Sequence, residues 1–436
     1  YIKENNAGNY GTTQNFIRSI YKDKKGFIWL GTQNGGVITW DKSYQNFLHF
    51  KNKKVYNNIT NSIVSDKKGN IYFATDAGVV SVLDKKGNVS EIFKIASSEK
   101  NISYPIKSLY YNKSDDLLFI GAQNKGLLVY DVKSKKIRED LISRDLQDLI
   151  GNSIIYDLKK DSKNNLHIGT FSKGLIRYNC ETKKLRIFTK NKIATNIVKS
   201  IFIDENDDLL IGGLGGVSTI KIDKNGKAET KNYFKDRPLI TYNISAVIKD
   251  VNDVVWVGTT TRGLYRIEGN STKPITFPDR DKFSKVNSIL EGEKGVLWLS
   301  TDIGIVQYNT ITGKSFTYDQ NNIIVNNSFR ENAALKIGNH FYFGDLYGVT
   351  TFNPSKIVKS NDVPKVVLSE LKVKNEIVNI DANDGILSKS LNYAKVLELD
   401  YDNSNFSISY ALPNYINSKG NKYAYRLKGL DDSWTY

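Results

Sequence analysis

The sequence has almost no cysteine and no long apolar run, and each shortage excludes a class of protein. Its 436 residues include a single cysteine, Cys180, so no intramolecular disulfide can form and the fold must rest on packing. No stretch approaches the roughly 18 uninterrupted apolar residues of a membrane-spanning helix, and Tyr1-Ile2-Lys3-Glu4 lacks the basic and apolar regions of a signal peptide. Because 40% of the residues are hydrophobic, we expect a globular chain with a packed core.

The charge is strongly positive. Lys and Arg number 62 against 46 Asp and Glu, for a formal net charge of +16. Such an excess favours anionic partners through long-range attraction. Most of it is lysine in turns, such as Lys22-Asp23-Lys24-Lys25, where solvated side chains are the simpler interpretation. No basic helix, zinc-finger spacing or aromatic RNA-binding strand accompanies it, so we do not expect a nucleic-acid partner.

An internal repeat dominates the sequence. The segment Gly26-Phe-Ile-Trp-Leu-Gly-Thr-Gln-Asn-Gly-Gly36 returns seven times, and its aromatic or apolar centre recurs at intervals of 42 to 48 residues: Trp29, Tyr72, Phe119, His167, Leu210, Trp256, Trp298 and Tyr342. This period, with several short strands and turn signals in each unit, is typical of β-propeller blades. The sequence therefore predicts a β-propeller over residues 1–355, with seven or eight blades in one ring, or one ring plus a blade of a preceding ring.

Each repeat can be divided into four strands. An apolar-polar alternation such as Ile197-Val-Lys-Ser-Ile201 predicts the first strand. A turn of the type Asp66-x-x-Gly69 follows, because Asp suits its first position and Gly, Asn or Asp tolerates the left-handed conformation at its end. The second strand carries the central aromatic residue. Because a blade lies between two others, we expect both of its faces to be buried, with Gly31 making room for neighbouring side chains.

The composition changes after Phe352-Asn-Pro354. Strands are predicted at 364–374, 395–401, 405–411 and 423–427. They form about half to two-thirds of an immunoglobulin-like β-sandwich, so residues 364–436 are predicted to be a second, truncated domain.

The two parts together resemble a known family. The repeat Asp-x-x-Gly-x-(Leu/Ile)-Trp-x-Gly-Thr, followed by Asn421-Lys-Tyr-Ala-Tyr-Arg-Leu-Lys-Gly429, is similar to the two-component-regulator propeller with its triple-tyrosine domain. That resemblance implies the periplasmic sensor of a hybrid two-component system in which oligosaccharides are bound and the signal is relayed to a membrane histidine kinase. The kinase and the membrane helix would lie downstream, and we expect this region to act as a homodimer without cofactor, metal or catalytic residue of its own.

Candidate ligand-binding residues lie in the loops of one rim of the ring, because polar and aromatic groups on loops of a rigid scaffold are where function collects. Arg and Lys there would bind uronates or sulfates, and aromatic rings would stack on sugars. An ordinary surface-loop role is the alternative for each. The candidates are Gln33, Asn34, Lys125, Lys173, Arg262, Asp302 and Tyr347 between second and third strands, Tyr56, Tyr104 and Tyr242 between blades, and Arg330 in the last inner strand.

The alternative function is a propeller lyase or hydrolase that acts on acidic polysaccharides. It would need an acid, a base or a metal cluster, but His49, His167 and His340 occupy unrelated positions in the repeat. His167 takes the place of the packing aromatic, Cys180 is expected to be a structural thiol, and Asp204-Glu-Asn-Asp-Asp208 is interpreted as a turn because it lacks the glycine and glutamate of a calcium loop. Paired carboxylates for glycoside cleavage stay open, since their separation is invisible in sequence.

Overall fold

The structure is a computed structural model that describes residues 16–24, 26–33, 36–40, 47–95, 103–223, 226–234, 242–277, 282–319, 326–357, 365–381, 385–413 and 423–435. Two compact units can be distinguished. One spans residues 44–357, and the other combines residues 12–43 with residues 358–436. The predicted propeller boundary at 355 thus lies two residues from the end of the first unit, but the first repeat belongs to the second unit.

The strands follow the repeat. The first repeat forms β1 (Ile17–Lys22), β2 (Ile28–Thr32) and β3 (Val37–Trp40), paired in the order β1-β2-β3. The next strand is β4 (Phe47–Phe50). Blade one holds β5 (Thr60–Ser65), β6 (Ile71–Thr75), β7 (Val79–Leu83) and β8 (Val89–Lys94), and blade two holds β9 (Ile106–Asn112), β10 (Leu117–Ala122), β11 (Gly126–Asp131) and β12 (Lys136–Ile137). Blade three holds β13 (Ile155–Lys160), β14 (Asn165–Thr170), β15 (Leu175–Asn179) and β16 (Leu185–Phe188).

The remaining blades have the same antiparallel order. Blade four holds β17 (Val198–Ile203), β18 (Leu209–Gly213), β19 (Gly216–Ile222) and β20 (Ala228–Tyr233), and blade five holds β21 (Ile244–Lys249), β22 (Val255–Thr259), β23 (Leu264–Glu268) and β24 (Ser271–Pro274). Blade six holds β25 (Val286–Glu291), β26 (Val296–Thr301), β27 (Ile305–Asn309) and β28 (Ser315–Tyr318). Blade seven holds β29 (Phe329–Ile337), β30 (His340–Asp345) and β31 (Val349–Phe352), and its fourth strand is β4.

Seven blades close into a ring. Each first strand lies beside the first strands of the blades before and after it, and β29 of blade seven returns to β5 of blade one. The closure is made by the chain itself, because β4 precedes blade one in sequence and pairs with β31, with Phe47 opposite Phe352. Strand β4 therefore ties the beginning of the ring to its end.

Apolar side chains fill the spaces between consecutive blades. Between blades one and two, Tyr72 and Val80 pack with Leu109 and Leu118, and similar clusters occupy the other interfaces. The glycines at the end of the second strands allow this approach. A Cβ atom on Gly258 would lie 2.7 Å from the Val286 side chain of the next blade, which is the reason predicted for glycine at this position of the repeat. On Gly31 itself, a Cβ atom would instead meet Ser19 of its own sheet.

The turn aspartate and the central aromatic residue of the repeat are joined by a hydrogen bond. Asp250 accepts from the backbone N–H of Val254 at 3.0 Å and from Trp256 Nε1 at 2.8 Å. In blade three His167 replaces the tryptophan, is 1% exposed, and places Nε2 3.0 Å from Asp161. His167 is thus a packing residue, as predicted, and it also takes over the polar contact of the tryptophan.

Blade two differs from the pattern after its short fourth strand. A turn at Glu139–Leu141 and helix α1 (Arg144–Ile150) follow β12, and Ser143 caps the helix by accepting from the N–H of Leu146. Leu146 and Ile150 are buried between blades two and three. The helix thereby supplies the apolar groups that a fourth-strand phenylalanine provides in other blades. Nothing in the described residues forms a helix of the length and apolarity needed to cross a membrane.

The second unit contains a small sheet in the order β33-β32-β34, made of β32 (Val367–Val373), β33 (Glu376–Ile377) and β34 (Phe406–Ala411). Two of the four predicted strands are therefore present. Residues 395–400 form no strand because Leu397 and Leu399 instead pack onto a cluster around Leu371, and near 423–427 a single bridge joins Tyr425 to Thr435. Short 3-10 turns lie at Pro354–Lys356 and Tyr401–Asn403.

Candidate functional site

The loops between second and third strands and the connections between blades share one rim of the ring, here called the loop rim. The N–H of Gln123 donates to the carbonyl oxygen of Pro105 at 2.9 Å. The N–H of Thr260 binds the carbonyl of Asn243 in the same way at 3.0 Å. These bonds hold each loop against the connection that leads into its own blade, so the rim has a rigid backbone.

Two pairs of predicted residues come together on the loop rim. The Lys125 ammonium lies 4.4 Å from the centre of the Tyr104 ring, and the Arg262 guanidinium lies 5.6 Å from the centre of the Tyr242 ring. Both are cation–π contacts. Tyr242 is only 3% exposed and packs against Phe234, so its ring supports Arg262 and has little surface left for a ligand.

The other predicted residues are distributed around the rim. Tyr56 and Tyr347 are 88% and 55% exposed, Lys173 is exposed, and Asp302 accepts hydrogen bonds from Ser284 Oγ and the N–H of Lys285. Two lie elsewhere. Gln33 belongs to the second unit, where it accepts a hydrogen bond from Arg18, and Asn34 lies outside the described residues.

A β-bulge in every first strand carries a second set of residues toward the axis. The register shifts at the same point in each first strand of the ring, for example between Thr60 and Ser62 and between Val198 and Ser200. A bulged residue is left unpaired and its side chain is re-aimed, which is common next to binding sites. We call the following the bulge residues: Asn61, Lys107, Tyr156, Lys199, Ser245, Asn287 and Arg330.

Hydrogen bonds connect several bulge residues across blades. Arg330 Nε donates to Asn61 Oδ1 at 3.2 Å, and Asn61 Nδ2 donates to Asp76 Oδ1 at 2.7 Å. Lys107 Nζ lies 2.5 Å from the same Asp76 oxygen. Blades seven, one and two are thus joined by one polar chain in which each side chain has a partner.

On the opposite side of the ring, an aromatic pair lies beside an ion pair. Lys199 Nζ is 2.8 Å from Glu331 Oε2 and 5.8 Å from the centre of the Tyr156 ring. Burial, followed by the charge of Glu331, raises the pKa of Tyr156, so its hydroxyl stays protonated. The ring of Phe171 lies 6.4 Å from that of Tyr156 and is 47% exposed. Phe171 therefore offers an apolar face next to polar groups.

The bulge of blade seven is longer than the others. Four residues of β29 stand between the paired residues Phe329 and Ala334, opposite one residue of β30. In blade one, Asn61 alone stands between the paired residues Thr60 and Ser62, and no residue of β6 lies opposite it. The extra residues reach across the axis. Asn332, with φ of 55°, donates through Nδ2 to Asp157 Oδ2 of blade three at 2.8 Å and lies 3.4 Å from Ser200 Oγ of blade four. The insertion therefore crosses the central channel.

Sequence reasoning predicted only Arg330 among the bulge residues. A signal was present, because several first strands share an order of apolar, variable polar, small and apolar residues, as in Ile106-Lys-Ser-Leu109 and Val198-Lys-Ser-Ile201. The variable second position is the bulge. In an alternating pattern, the bulge position looks like any other residue on one face of a regular strand. The pattern alone therefore did not distinguish it.

The groups weighed for catalysis are separated. In the described part of the chain, no three His, Cys, Asp or Glu side chains come together in a way suited to a metal ion. His49 lies 3.2 Å from Asp345 in blade seven, while His340 is exposed at the start of β30. Burial raises the pKa of the Cys180 thiol, so it is a poor nucleophile at neutral pH.

Comparisons with known proteins agree with this architecture. Residues 11–34 match the family model described as the two-component regulator propeller. A curated protein named histidine kinase P4, from Formosa agariphila, is 34% identical over 435 residues, which are 96% of this chain and 32% of that protein. The chain therefore spans about a third of the length of the curated relative that it matches.

Solved structures show the same fold. One from B. thetaiotaomicron, described as the extracellular domain of a hybrid two-component system, superposes with a TM-score of 0.74 at 22% identity and covers 96% of this chain and 56% of its own. Virginiamycin B lyase from Staphylococcus aureus superposes with a TM-score of 0.53 at 14% identity over 70% of this chain and 97% of its own. The predicted propeller fold is confirmed.

Proposed function

This chain carries two-component-regulator propeller repeats, and from that premise we propose that it is the ligand-sensing part of a membrane histidine-kinase receptor and lies in the periplasm. The proposal goes beyond the fold in naming a ligand class. We propose that oligosaccharides released from a glycan bind where the loop rim meets the axis, on Phe171 and the partly exposed bulge residues Lys107, Tyr156, Lys199 and Arg330.

The observation that carries the proposal is the combination of an exposed aromatic face with fixed polar groups. Phe171 exposes about half of its surface beside Tyr156, Lys199 and Glu331. Aromatic rings present flat apolar faces to sugar rings, while carboxylates, amides and ammonium groups exchange hydrogen bonds with hydroxyls. Since the polar groups here already have protein partners, a sugar would bind a preformed surface, which lowers the cost of ordering.

The proposed signal is a shift in population. A ligand can move a receptor between two arrangements only by binding one of them more tightly. The insertion in blade seven joins blades that face each other across the ring, so a ligand held at Lys199 and Glu331 contacts the same groups that cross the axis. In a homodimer of receptors, the resulting change of arrangement would be passed to the kinase.

Calorimetric titration of defined oligosaccharides at two ionic strengths tests the proposal. We expect one class to bind, and the net charge of +16 predicts a ligand with uronate or sulfate groups whose affinity falls as salt rises. Binding of a neutral sugar with no salt dependence would show that the charge has no part in recognition. If no glycan fragment binds, the proposal that this chain senses oligosaccharides is wrong.

The rival function, cleavage of acidic polysaccharides, is tested with the same preparation. Virginiamycin B lyase shares the propeller fold with this chain, which is why the test is needed. New reducing ends or unsaturated products after incubation would favour a lyase or hydrolase. We expect neither product to accumulate.

We also propose that the sheet β1-β2-β3 is a blade of a separate ring. In β1 the side chains of Ile20 and Tyr21 are 69% and 63% exposed, whereas the corresponding Ile63 of blade one is 5% exposed. A first strand with exposed apolar residues needs neighbouring blades to cover it. In a longer protein with additional upstream repeats, the amides of β1 should exchange hydrogen more slowly than in this chain, and equal exchange would contradict the proposal.

A further inference from the structure

A cleft rich in cations opens on blade three at the rim opposite the loop rim. It has a volume of about 280 Å³ and is lined by Lys163, Asn165, Arg177, Asn179, Thr182, Lys184, Leu185 and Arg186. We call it the blade-three cleft. Lys163 lies in the turn between first and second strands, and Thr182 and Lys184 lie at the turn between third and fourth strands. The cleft is therefore separate from the site of the proposed function.

The sheet register explains why the cations gather there. His167, Arg177 and Arg186 are directly opposite one another on β14, β15 and β16. In an antiparallel sheet, side chains of opposite residues lie on the same face and close together. Two arginines are thereby placed side by side, and like charges directly opposite each other are destabilising. The stability of the sheet therefore does not explain why two arginines stand opposite each other here.

Blade five has the same arrangement but neutralises it. Arg266 and Lys273 are opposite each other on β23 and β24, and Glu268 forms ion pairs with both of them. The residue of blade three at the position of Glu268 is Asn179, because Gly169 pairs with Leu175 where Gly258 pairs with Leu264. An uncharged amide therefore stands where blade five has the neutralising carboxylate.

The acidic groups near the cleft are already engaged. Asp161 accepts hydrogen bonds from Asn165 and His167, and its Oδ2 is 3.9 Å from Arg177 Nε, beyond hydrogen-bonding distance. Arg177 Nε is buried and has no hydrogen-bond partner within the described residues. Asp207 accepts from Ser162, and Lys184 remains exposed. Among the described residues, four cationic side chains and no carboxylate line the cleft. Two of the cations, Arg177 and Lys163, lie within ion-pair distance of Asp161 and Asp207, so the positive charge is only partly balanced.

We propose that the blade-three cleft binds a sulfate group, carried by a saccharide or free in solution. Guanidinium groups supply planar pairs of donors that match sulfate oxygens. Arg177 Nε has no hydrogen-bond partner within the described residues, whereas Arg186 already donates through Nη1 to the carbonyl oxygen of Gly226 and would offer its other nitrogens. Lys184, which is exposed, adds a further positive charge to the lining. The cleft is a second site, and it neither requires nor excludes a ligand on the loop rim.

The experiment uses the whole chain and two variants of the cleft. Sodium sulfate and glucose 6-sulfate are titrated calorimetrically at constant ionic strength, with glucose as the uncharged probe. The double variant Lys184→Gln/Arg186→Gln removes two cations. Asn179→Glu introduces the carboxylate that blade five has at this position. The control Lys85→Gln/Lys86→Gln removes two exposed lysines from the turn between the third and fourth strands of blade one, on the same rim.

We expect both cleft variants to bind sulfate at least tenfold more weakly than the original chain, whereas the control binds it equally well. Tighter binding of glucose 6-sulfate than of sodium sulfate would identify a saccharide-borne anion, and equal binding would identify a site for the free ion. If the original chain binds neither probe, or if the control loses as much affinity as the cleft variants, the proposal is wrong. If a glycan binds the loop rim of all variants equally well, the proposed function stands whatever the result for the blade-three cleft.

Discussion

Asn332 and Asp157 are 175 residues apart in sequence and are joined by a hydrogen bond of 2.8 Å across the centre of the ring. Asp157 is 4% exposed and also accepts from the N–H of Ile201 in the next blade at 2.8 Å. One carboxylate oxygen therefore holds blades three, four and seven together. Because the bond spans the ring, its loss would loosen blades that are not neighbours in sequence.

The first prediction replaces the amide of Asn332, which donates to Asp157, with a carboxylate that cannot donate. Asn332→Asp places a second carboxylate against Asp157, so we expect the free energy of unfolding at pH 7 to fall by about 1–3 kcal/mol. The deficit should shrink as the pH is lowered, because protonation of one carboxyl restores a donor. Chemical denaturation at pH 7 and pH 5 measures both effects. Asn332→Gly is the control, since glycine also accepts the φ of 55°. An equal loss in both variants at both pH values would contradict the prediction.

The second prediction concerns the buried pair in blade three. Burial acts to raise the pKa of Asp161, but hydrogen bonds from His167 and Asn165 outweigh it and lower the pKa to about 2 from 3.8. The stabilisation is therefore fully present above the ordinary pKa and is lost as the pH falls toward 2. His167→Leu should raise this pKa toward its ordinary value and weaken the pH dependence of the unfolding free energy in that range.

Carboxyl titration by NMR and denaturation between pH 2 and pH 5 check the second prediction. His340→Leu is the matched control, because His340 is exposed at the start of β30. A pKa of Asp161 that does not change in the His167 variant would show that Asn165 alone holds it down.

The third prediction tests closure of the ring. Phe47 is 7% exposed, and its ring centre lies 4.6 Å from that of Phe352 and 5.4 Å from that of Tyr318. We expect Phe47→Ala to lower the free energy of unfolding by about 3–5 kcal/mol. Leu48→Ala, on the same strand and 51% exposed, should cost far less. Thermal unfolding in a calorimeter distinguishes them, and similar losses would mean that β4 does not close the ring.

The fourth prediction tests the aromatic face of the proposed ligand site. Phe171→Ala should weaken binding of the oligosaccharide found by calorimetry by about two- to tenfold, the value of one aromatic contact. Phe316→Ala removes an equally exposed ring, 53% against 47%, from β28 of blade six, and should leave the affinity unchanged. If the two variants bind the oligosaccharide equally well, Phe171 is not part of the binding site.

Local features of the fold were predictable. The turn aspartates and glycines stand at the predicted positions, with left-handed residues such as Gly69, Asp207 and Asp253, because turn conformation depends on a few adjacent residues. The rim of the candidate site was also predictable, since strand order places those loops together. Helix α1 and the residues of the second unit that form no strand were not, because packing decided them.

The bulge residues show where prediction stopped. Lys107, Tyr156 and Lys199 look like ordinary polar positions of alternating strands, and their unpaired status follows from the register with the second strand. Asn332 could not be assigned a partner, because no local pattern links it to Asp157.

The sequence by itself determined that blades form, since eight similar segments each contain the turns, the alternation and the packing residue that make one antiparallel sheet. Only the tertiary structure decided which segments share a ring: β4 pairs with β31, seven blades close, and the first repeat joins the second unit. The reason is physical. Strand and turn preferences act over a few residues, whereas ring closure and the contact across the axis depend on pairings between residues 175 or more positions apart.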